Sequence, residues 1–355
     1  MSTPASGAAA SQSIGDLGER RLIDRIRARF GPSPGILSVG IGDDAAVVPP
    51  VRGALEVLTT DALVEGVHFD LSFSTFADVG FKALAVNLSD IAAMGGIPRL
   101  ALLSLILPPQ ISPADVDGLL DGFAEMASAA KVTLAGGNIT RSPGPAVGGG
   151  RGPLIVDVTV VGSAKPRKVL TRSGGRPGDA LFVTGSIGAA AAGLEWLRSQ
   201  AGTTRAEPDD PLLRECVARH RRPAPRVRLG AIAGQTRAAS ACMDLSDGLA
   251  DAVTQVAEQS GTGARLDAVA LPIHPGAVQW FETQGRDPVP AAVAGGDDYE
   301  LLFAVPSRFG GRFRALVQHA QGVPVRRIGE LTSDREVVLI KDGRAAPLPA
   351  GFTHF

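Results

Sequence analysis

The amino-acid sequence predicts an α+β protein of two domains. At 355 residues the chain is long enough for two separate cores, and 45% of it is hydrophobic. Short strand-like apolar runs mix with longer stretches of helical period in both halves, without the regular βαβ beat of a doubly wound sheet. Ser, Lys, Pro and Gly cluster between residues 163 and 178, as at a domain junction. These features divide the chain into a flexible tail (1–13), an N-terminal domain (14–165) and a C-terminal domain (166–355).

Residues 1–12 are rich in Ala and Ser and lack both a basic start and a long apolar core, so no secretory signal is expected. Ile14 to Phe30 repeats apolar residues at helical spacing (Leu17, Leu22, Ile23, Ile26) and stops at Gly31-Pro32. Leu55 to Thr60 is a β-prone run that delivers Thr59, Thr60 and Asp61 at its end. A long helix is predicted over Phe76–Met94, closed by Gly95-Gly96. A buried strand over Leu100–Leu107 follows, then a helix over Pro113–Ala130. A strand over Val132–Ala135 runs into Gly136-Gly137-Asn138. Residues 142–153, rich in Gly and Pro, read as a loop or hairpin excursion before an alternating strand over Leu154–Val161. In the second half, strands are predicted at Ala180–Thr184, Ala241–Asp244, Leu301–Val305, Val325–Ile328 and Val337–Ile340. Helices are predicted at Ile187–Leu197, 211–220, 226–235, Leu249–Gln259 and Phe309–His319.

Composition narrows the function. With 35 basic and 36 acidic side chains, the net charge of -1 gives no electrostatic reason to expect nucleic acid or an anionic membrane as partner. Leu100–Leu107, the longest apolar stretch, is too short to span a bilayer. The two cysteines, Cys216 and Cys242, form no CxxC pair, which fits a reducing, cytoplasmic setting.

Several acidic clusters stand in apolar surroundings: Gly42-Asp43-Asp44, Thr59-Thr60-Asp61, Asn87-Leu88-Ser89-Asp90, Asp244-Leu245-Ser246-Asp247-Gly248 and Gly295-Gly296-Asp297-Asp298-Tyr299-Glu300. An ionised carboxylate in such a setting is costly unless a cation compensates it. Mg2+ suits this role, because it takes hard oxygen ligands and bridges carboxylates to substrate phosphates. The chain therefore reads as a metal-dependent enzyme acting on phosphates. Plainer accounts exist for each cluster. Asn87 and Asp90, three apart, could form a solvated helix face, with Lys82 neutralising Asp90 from two turns away. Asp244 to Gly248 could be a helix cap, although a cap explains one polar residue and not two aspartates around a serine. Gly42-Asp43 and Gly296-Asp297 are ordinary turn pairs, and a lone histidine such as His68 is usually structural. No P-loop, GxGxxG, GxSxG or HExxH pattern is present. The absence of an evident protein nucleophile suits direct phosphoryl transfer, which depends on positioning and charge neutralisation.

Taken in order, these motifs resemble those of the thiamine-monophosphate kinase family, within the AIR synthase-related (PurM-like) superfamily. The resemblance is carried further by Lys82-Ala83-Leu84-Ala85-Val86, Leu170-Thr171-Arg172-Ser173-Gly174, Pro177-Gly178-Asp179 and the terminal Gly351-Phe352-Thr353-His354-Phe355. It implies a two-domain PurM-like fold whose N-terminal α+β domain forms a dimer-spanning β-structure, hence a homodimer. It implies ATP-dependent phosphorylation of thiamine phosphate to thiamine diphosphate with several Mg2+ ions. By the same resemblance Asp44, Thr59, Thr60, Asp61, Asp90, Asp244 and Asp247 are expected to bind magnesium. Asn138 stands where the family usually has Asp, and would offer a neutral oxygen to metal and nucleotide. Gly137, Arg172 and Ser246 match nucleotide-contacting positions, and His68, Asp297 and Phe352 match positions around the thiamine phosphate. Two alternatives remain at this point: another enzyme of the superfamily, or a non-catalytic nucleotide sensor on the same scaffold.

Overall fold

The computed structural model describes residues 13–31, 35–144, 150–200 and 207–351. It opens with two short helices, α1 (Ile14–Leu17) and α2 (Glu19–Phe30), where the sequence predicts one. Gly18, at φ 83°, breaks the run, and a capping box between Ser13 and Asp16 starts the first piece. Ser13 therefore belongs to the folded domain and not to a tail; residues 1–12 lie outside the described residues.

There follow β1 (Leu55–Val64), α3 (Phe76–Ala93), β2 (Ile97–Leu107), α4 (Pro113–Ala130), β3 (Thr133–Arg141) and β4 (Ile155–Ala164). The strands form one sheet in the order β1-β4-β2-β3. It is antiparallel except for the β2–β3 pair, which α4 connects as a crossover. Strand β3 does not stop at Ala135 as predicted but continues through Gly136-Gly137-Asn138. Its backbone runs so close to β2 that a β-carbon on Gly137 would lie 1.8 Å from the Leu103 carbonyl oxygen. Glycine here permits pairing instead of ending it. Of the 142–153 excursion, residues 145–149 lie outside the described residues; Arg151 beyond them donates to Glu65 Oε2 at 2.7 Å.

Helix α3 explains its own composition. It is apolar nearly all round because the sheet, α4 and a C-terminal helix all cover it. A β-carbon on Gly80 would lie 1.9 Å from the Leu119 carbonyl oxygen, and one on Gly122 would lie 1.8 Å from that of Ala77. The α3 and α4 backbones thus touch, and a larger residue at either glycine forces them apart.

The second unit comprises β5 (Ala180–Thr184), α5 (Ala189–Ser199), α6 (Pro211–Arg221), α7 (Val227–Thr236), β6 (Ala241–Asp244), α8 (Leu249–Ser260), β7 (Gly263–Asp267), α9 (Pro275–Thr283), α10 (Pro288–Ala294), β8 (Leu301–Val305), α11 (Gly310–Gln318), β9 (Val325–Thr332), β10 (Val337–Lys341) and β11 (Arg344–Pro347). Its seven-stranded sheet has the order β11-β10-β7-β9-β5-β8-β6. Strands β7 and β11 and helices α9 and α10 are not among the elements that the sequence predicts. Both missed helices begin at a proline, after His274 and Asp287 caps, and their Pro-rich starts read as loop until the caps are seen. The two units meet along α3: α7 packs on it, Leu170 N–H donates to the Met94 carbonyl oxygen at 3.0 Å, and Arg222 reaches Asp78 at 2.6 Å. Among the described residues no helix is long and apolar enough to cross a membrane.

Candidate active site

Alternation along β1 decides which of its side chains can work together, because successive residues point to opposite faces. Thr59 and Asp61 face α3, on the side where β4 contributes the buried Val158 and Val160. Asp90, in the last turn of α3, accepts a hydrogen bond from Thr59 Oγ1. Asp244, at the end of the wholly buried β6, accepts one from Ser89 Oγ at 2.7 Å. Burial, with the Asp90 carboxylate close by, pushes Asp61 up to about 6. Burial and Asp90 push Asp244 up to about 7, against the Ser89 hydrogen bond. Asp90 itself is raised by burial, with the Thr59 hydroxyl and the Arg172 guanidinium opposing. Burial, joined at Asp61 and Asp244 by the neighbouring Asp90 carboxylate, thus disfavours the charged form of all three. The donor set fits a hard cation.

Two cavities meet at these carboxylates. One, of about 370 Å3, is lined by Asp61, His68, Asp90, Asp244 and Asp297. Ser246 and Asp247, from the corner between β6 and α8, line it too. The other, of about 510 Å3, is more apolar and is lined by Thr59, Asp90, Met94, Val169, Arg172 and Asp244. Asp90 and Asp244 belong to both.

The remaining predicted residues lie elsewhere. Thr60 points to the opposite face of the sheet, against Asp157 Oδ1 at 3.2 Å and Thr159 Oγ1 at 3.0 Å. On that face a cavity of about 840 Å3 is lined by Asp44, Gly137, Asn138 and Asp157. The residues expected to bind magnesium thus fall into two groups with the sheet between them, and Thr60 does not join Thr59 and Asp61. Phe352 lies outside the described residues. The sequence does not single out Ser89 or Asp157: Ser89 stands inside the Asn87–Asp90 cluster with no role of its own, and Asp157 falls within the strand over Leu154–Val161.

Lys82 does not neutralise Asp90. Its ammonium, 3% exposed, donates to Asp297 Oδ2 at 2.8 Å and to the His68 carbonyl oxygen at 3.1 Å. Burial alone would raise Asp297, but Lys82 and the His220 imidazole outweigh it and hold the carboxyl well below the usual range. Cys216 Sγ lies 3.4 Å from His274 Nδ1, a pairing with the look of a nucleophile and its base. Burial pushes that thiol up to about 12, and Nδ1 accepts from Gly276 N–H at the start of α9, so the pair is a packed helix cap.

Buried carboxylates at the junction of two ligand-sized cavities, on a two-domain α+β chain, define an enzyme of phosphate chemistry. Residues 42–164 match the family "AIR synthase related protein, N-terminal domain", and residues 176–342 its C-terminal counterpart. The thiamine-monophosphate kinase of Escherichia coli K12 is 36% identical, over 95% of this chain and 98% of its own. The crystal structure of the Stenotrophomonas maltophilia thiamine-monophosphate kinase superposes with a TM-score of 0.79 at 34% identity, covering 92% of this chain and 96% of that one. A structure described as AaThiL complexed with AMPPCP and TMP superposes at 0.73 with 32% identity, covering 96% and 98%. The chain belongs to the thiamine-monophosphate kinase family.

Proposed function

We propose that this chain transfers the γ-phosphoryl group of ATP directly to the phosphate of thiamine phosphate, giving thiamine diphosphate and ADP. The observation that carries this reading is the pair of cavities sharing Asp90 and Asp244. A reaction between two phosphates needs two ligand pockets that meet where negative charge can be compensated. Arg172 supports placing the nucleotide in the more apolar cavity, and His68, Asp297 and Tyr299 support placing the acceptor in the other. An acceptor oxygen attacks the γ-phosphorus and ADP leaves, with no covalent enzyme intermediate.

Asp61, Asp90, Asp244 and Asp247 are proposed to hold Mg2+ at this junction, with Thr59 orienting Asp90. Ser246, which lines the acceptor cavity beside Asp247, is proposed to meet the terminal phosphate of the nucleotide where the two cavities join. Among the described residues no group of three His, Cys, Asp or Glu side chains converges on a single ion position. Two carboxylates, with water and phosphate oxygens completing the shell, match how Mg2+ is usually held. Bound there, Mg2+ would neutralise phosphate charge as the γ-phosphoryl group moves. Asp44, Gly137, Asn138 and Thr60, on the other face, are proposed as a second metal and nucleotide region, and Phe352 as part of the acceptor site. Turnover of ATP and thiamine phosphate with Mg2+ tests the reading, and its absence would refute it in favour of a nucleotide sensor.

A homodimer is proposed from the same open face. It exposes Leu58 (67%) and Leu102 (40%), and among the described residues β1 and β3 form the two edges of the sheet with no further strand beside them. Sedimentation at twice the chain mass is expected, and a monomer at micromolar concentration argues against it. The proposed location is the cytoplasm, where ATP is made available, and cell fractionation tests it.

The raised carboxylates predict a pH dependence. With Asp61 at about 6 and Asp244 at about 7, the folded state binds more protons than the unfolded state between about pH 4 and 7. Stability of the metal-free protein therefore falls as pH rises through that window. The melting temperature without metal should drop by several degrees from pH 5 to pH 8, and Mg2+ should restore it at pH 8 and not at pH 5. A metal-free melting temperature that is flat with pH contradicts this.

A further inference from the structure

Lys82 belongs to none of the groups that handle the phosphates, yet its ammonium is buried where a charge is costly. It spans two segments from different domains. The His68 carbonyl oxygen it binds follows β1, and the Asp297 carboxylate it binds precedes β8. Both residues line the same 370 Å3 cavity. The Asp297 segment is held in an unfavourable shape, with Asp297 at φ 68° and Tyr299 at φ 50°. Its backbone is stapled to the β6–α8 corner by Asp297 N–H to the Ser246 oxygen at 2.7 Å and Tyr299 N–H to the Leu245 oxygen at 3.0 Å. Both carboxylate oxygens are engaged as well. Tyr299 Oη donates to Oδ1 at 3.1 Å, while Lys82 binds Oδ2, with His220 Nδ1 3.4 Å from the same oxygen. The charge of Asp297 is therefore matched inside the protein and is not presented bare to a cationic ligand.

We infer that Lys82 is a positioning residue for the acceptor: it ties the His68 wall to the Asp297–Tyr299 wall and fixes the width of the cavity between them. This rests on the proposed function, since the acceptor is the thiamine phosphate assigned to that cavity. A merely structural ion pair would be tolerated as a matched neutral pair, because replacing both charges of a buried bridge is often close to neutral for folding. A positioning pair would not be tolerated by the substrate.

The test is a double-mutant cycle of Lys82→Met and Asp297→Asn, with melting temperature measured beside steady-state kinetics in each substrate. Each single variant should raise KM for thiamine phosphate about tenfold and leave KM for ATP within about twofold. The pair should recover melting temperature but be no worse in KM than the poorer single variant. An unmoved KM for thiamine phosphate in Lys82→Met, or fully additive effects in the pair, overturns the inference. Should Lys82→Met leave too little folded protein, Tyr299→Phe asks the same question through the other oxygen of Asp297. A severalfold rise in the same KM is expected there, and no rise overturns the inference. Absence of turnover in the wild-type protein would instead sink the functional reading, and this inference with it.

Discussion

Asp90→Asn is expected to lower kcat by about two to three orders of magnitude, the scale seen when one preorganised electrostatic contact to a transition state is lost. The same change should leave the metal-free protein at least as stable as wild type at pH 8. Asp90 is a principal neighbour raising both Asp61 and Asp244, so a neutral amide in its place relieves repulsion at both. The amide oxygen can still accept the hydrogen bond from Thr59 Oγ1. Activity and stability should therefore move in opposite directions, which a substitution that damages the fold cannot do. Kinetics at limiting Mg2+ and metal-free melting curves on one preparation check both halves. Near-normal turnover at limiting Mg2+ would remove Asp90 from the proposed metal site; a solvated helix face is not its alternative, because Asn87 is fully buried.

What could be read from the sequence follows the range of the physics involved. Asp90 and Asp244 stood out because each breaks a local apolar pattern, and local pattern is what a sequence displays. The two-sheet α+β architecture was legible for the same reason, from runs of period two and 3.6. Thr60 parts from Thr59 and Asp61 by a rule that is also local: successive residues of a strand point to opposite faces. The partner of Lys82 was out of reach. Asp90, eight residues on, is the nearer carboxylate in the chain, whereas Asp297 lies 215 residues away and meets Lys82 only once β8 has been set beside β6. Ser89 was hidden in a different way, because its hydroxyl reaches Asp244 across the domain boundary and nothing in its neighbours marks it. Charge pairing between domains is a property of the assembled fold, and the sequence holds the two halves of each pair without the link.

Glu300 shows the energetic weight of a buried ion pair, here within the C-terminal unit, and its replacement by alanine should be among the most destabilising single changes in the chain. The side chain is fully buried. It receives Arg226 in a two-pronged contact, with Nε at 2.6 Å from Oε2, and Thr184 Oγ1 at 2.6 Å. Arg219 approaches from a third side at 3.5 Å. Truncation leaves the largely buried Arg226 guanidinium with no carboxylate and Thr184 with no acceptor. Stranding one member of a buried pair typically costs about 3–5 kcal/mol, a large share of the stability of an ordinary domain. Removing both members is a different matter, because the desolvation cost goes with them. Glu300→Met combined with Arg226→Met should recover most of what Glu300→Ala loses. Urea denaturation of the two proteins measures the difference directly. If the double variant is as unstable as the single one, the carboxylate matters through Thr184 and the turn before β8, whose Leu301 N–H donates to Thr184 Oγ1 at 2.8 Å, and not through its arginine.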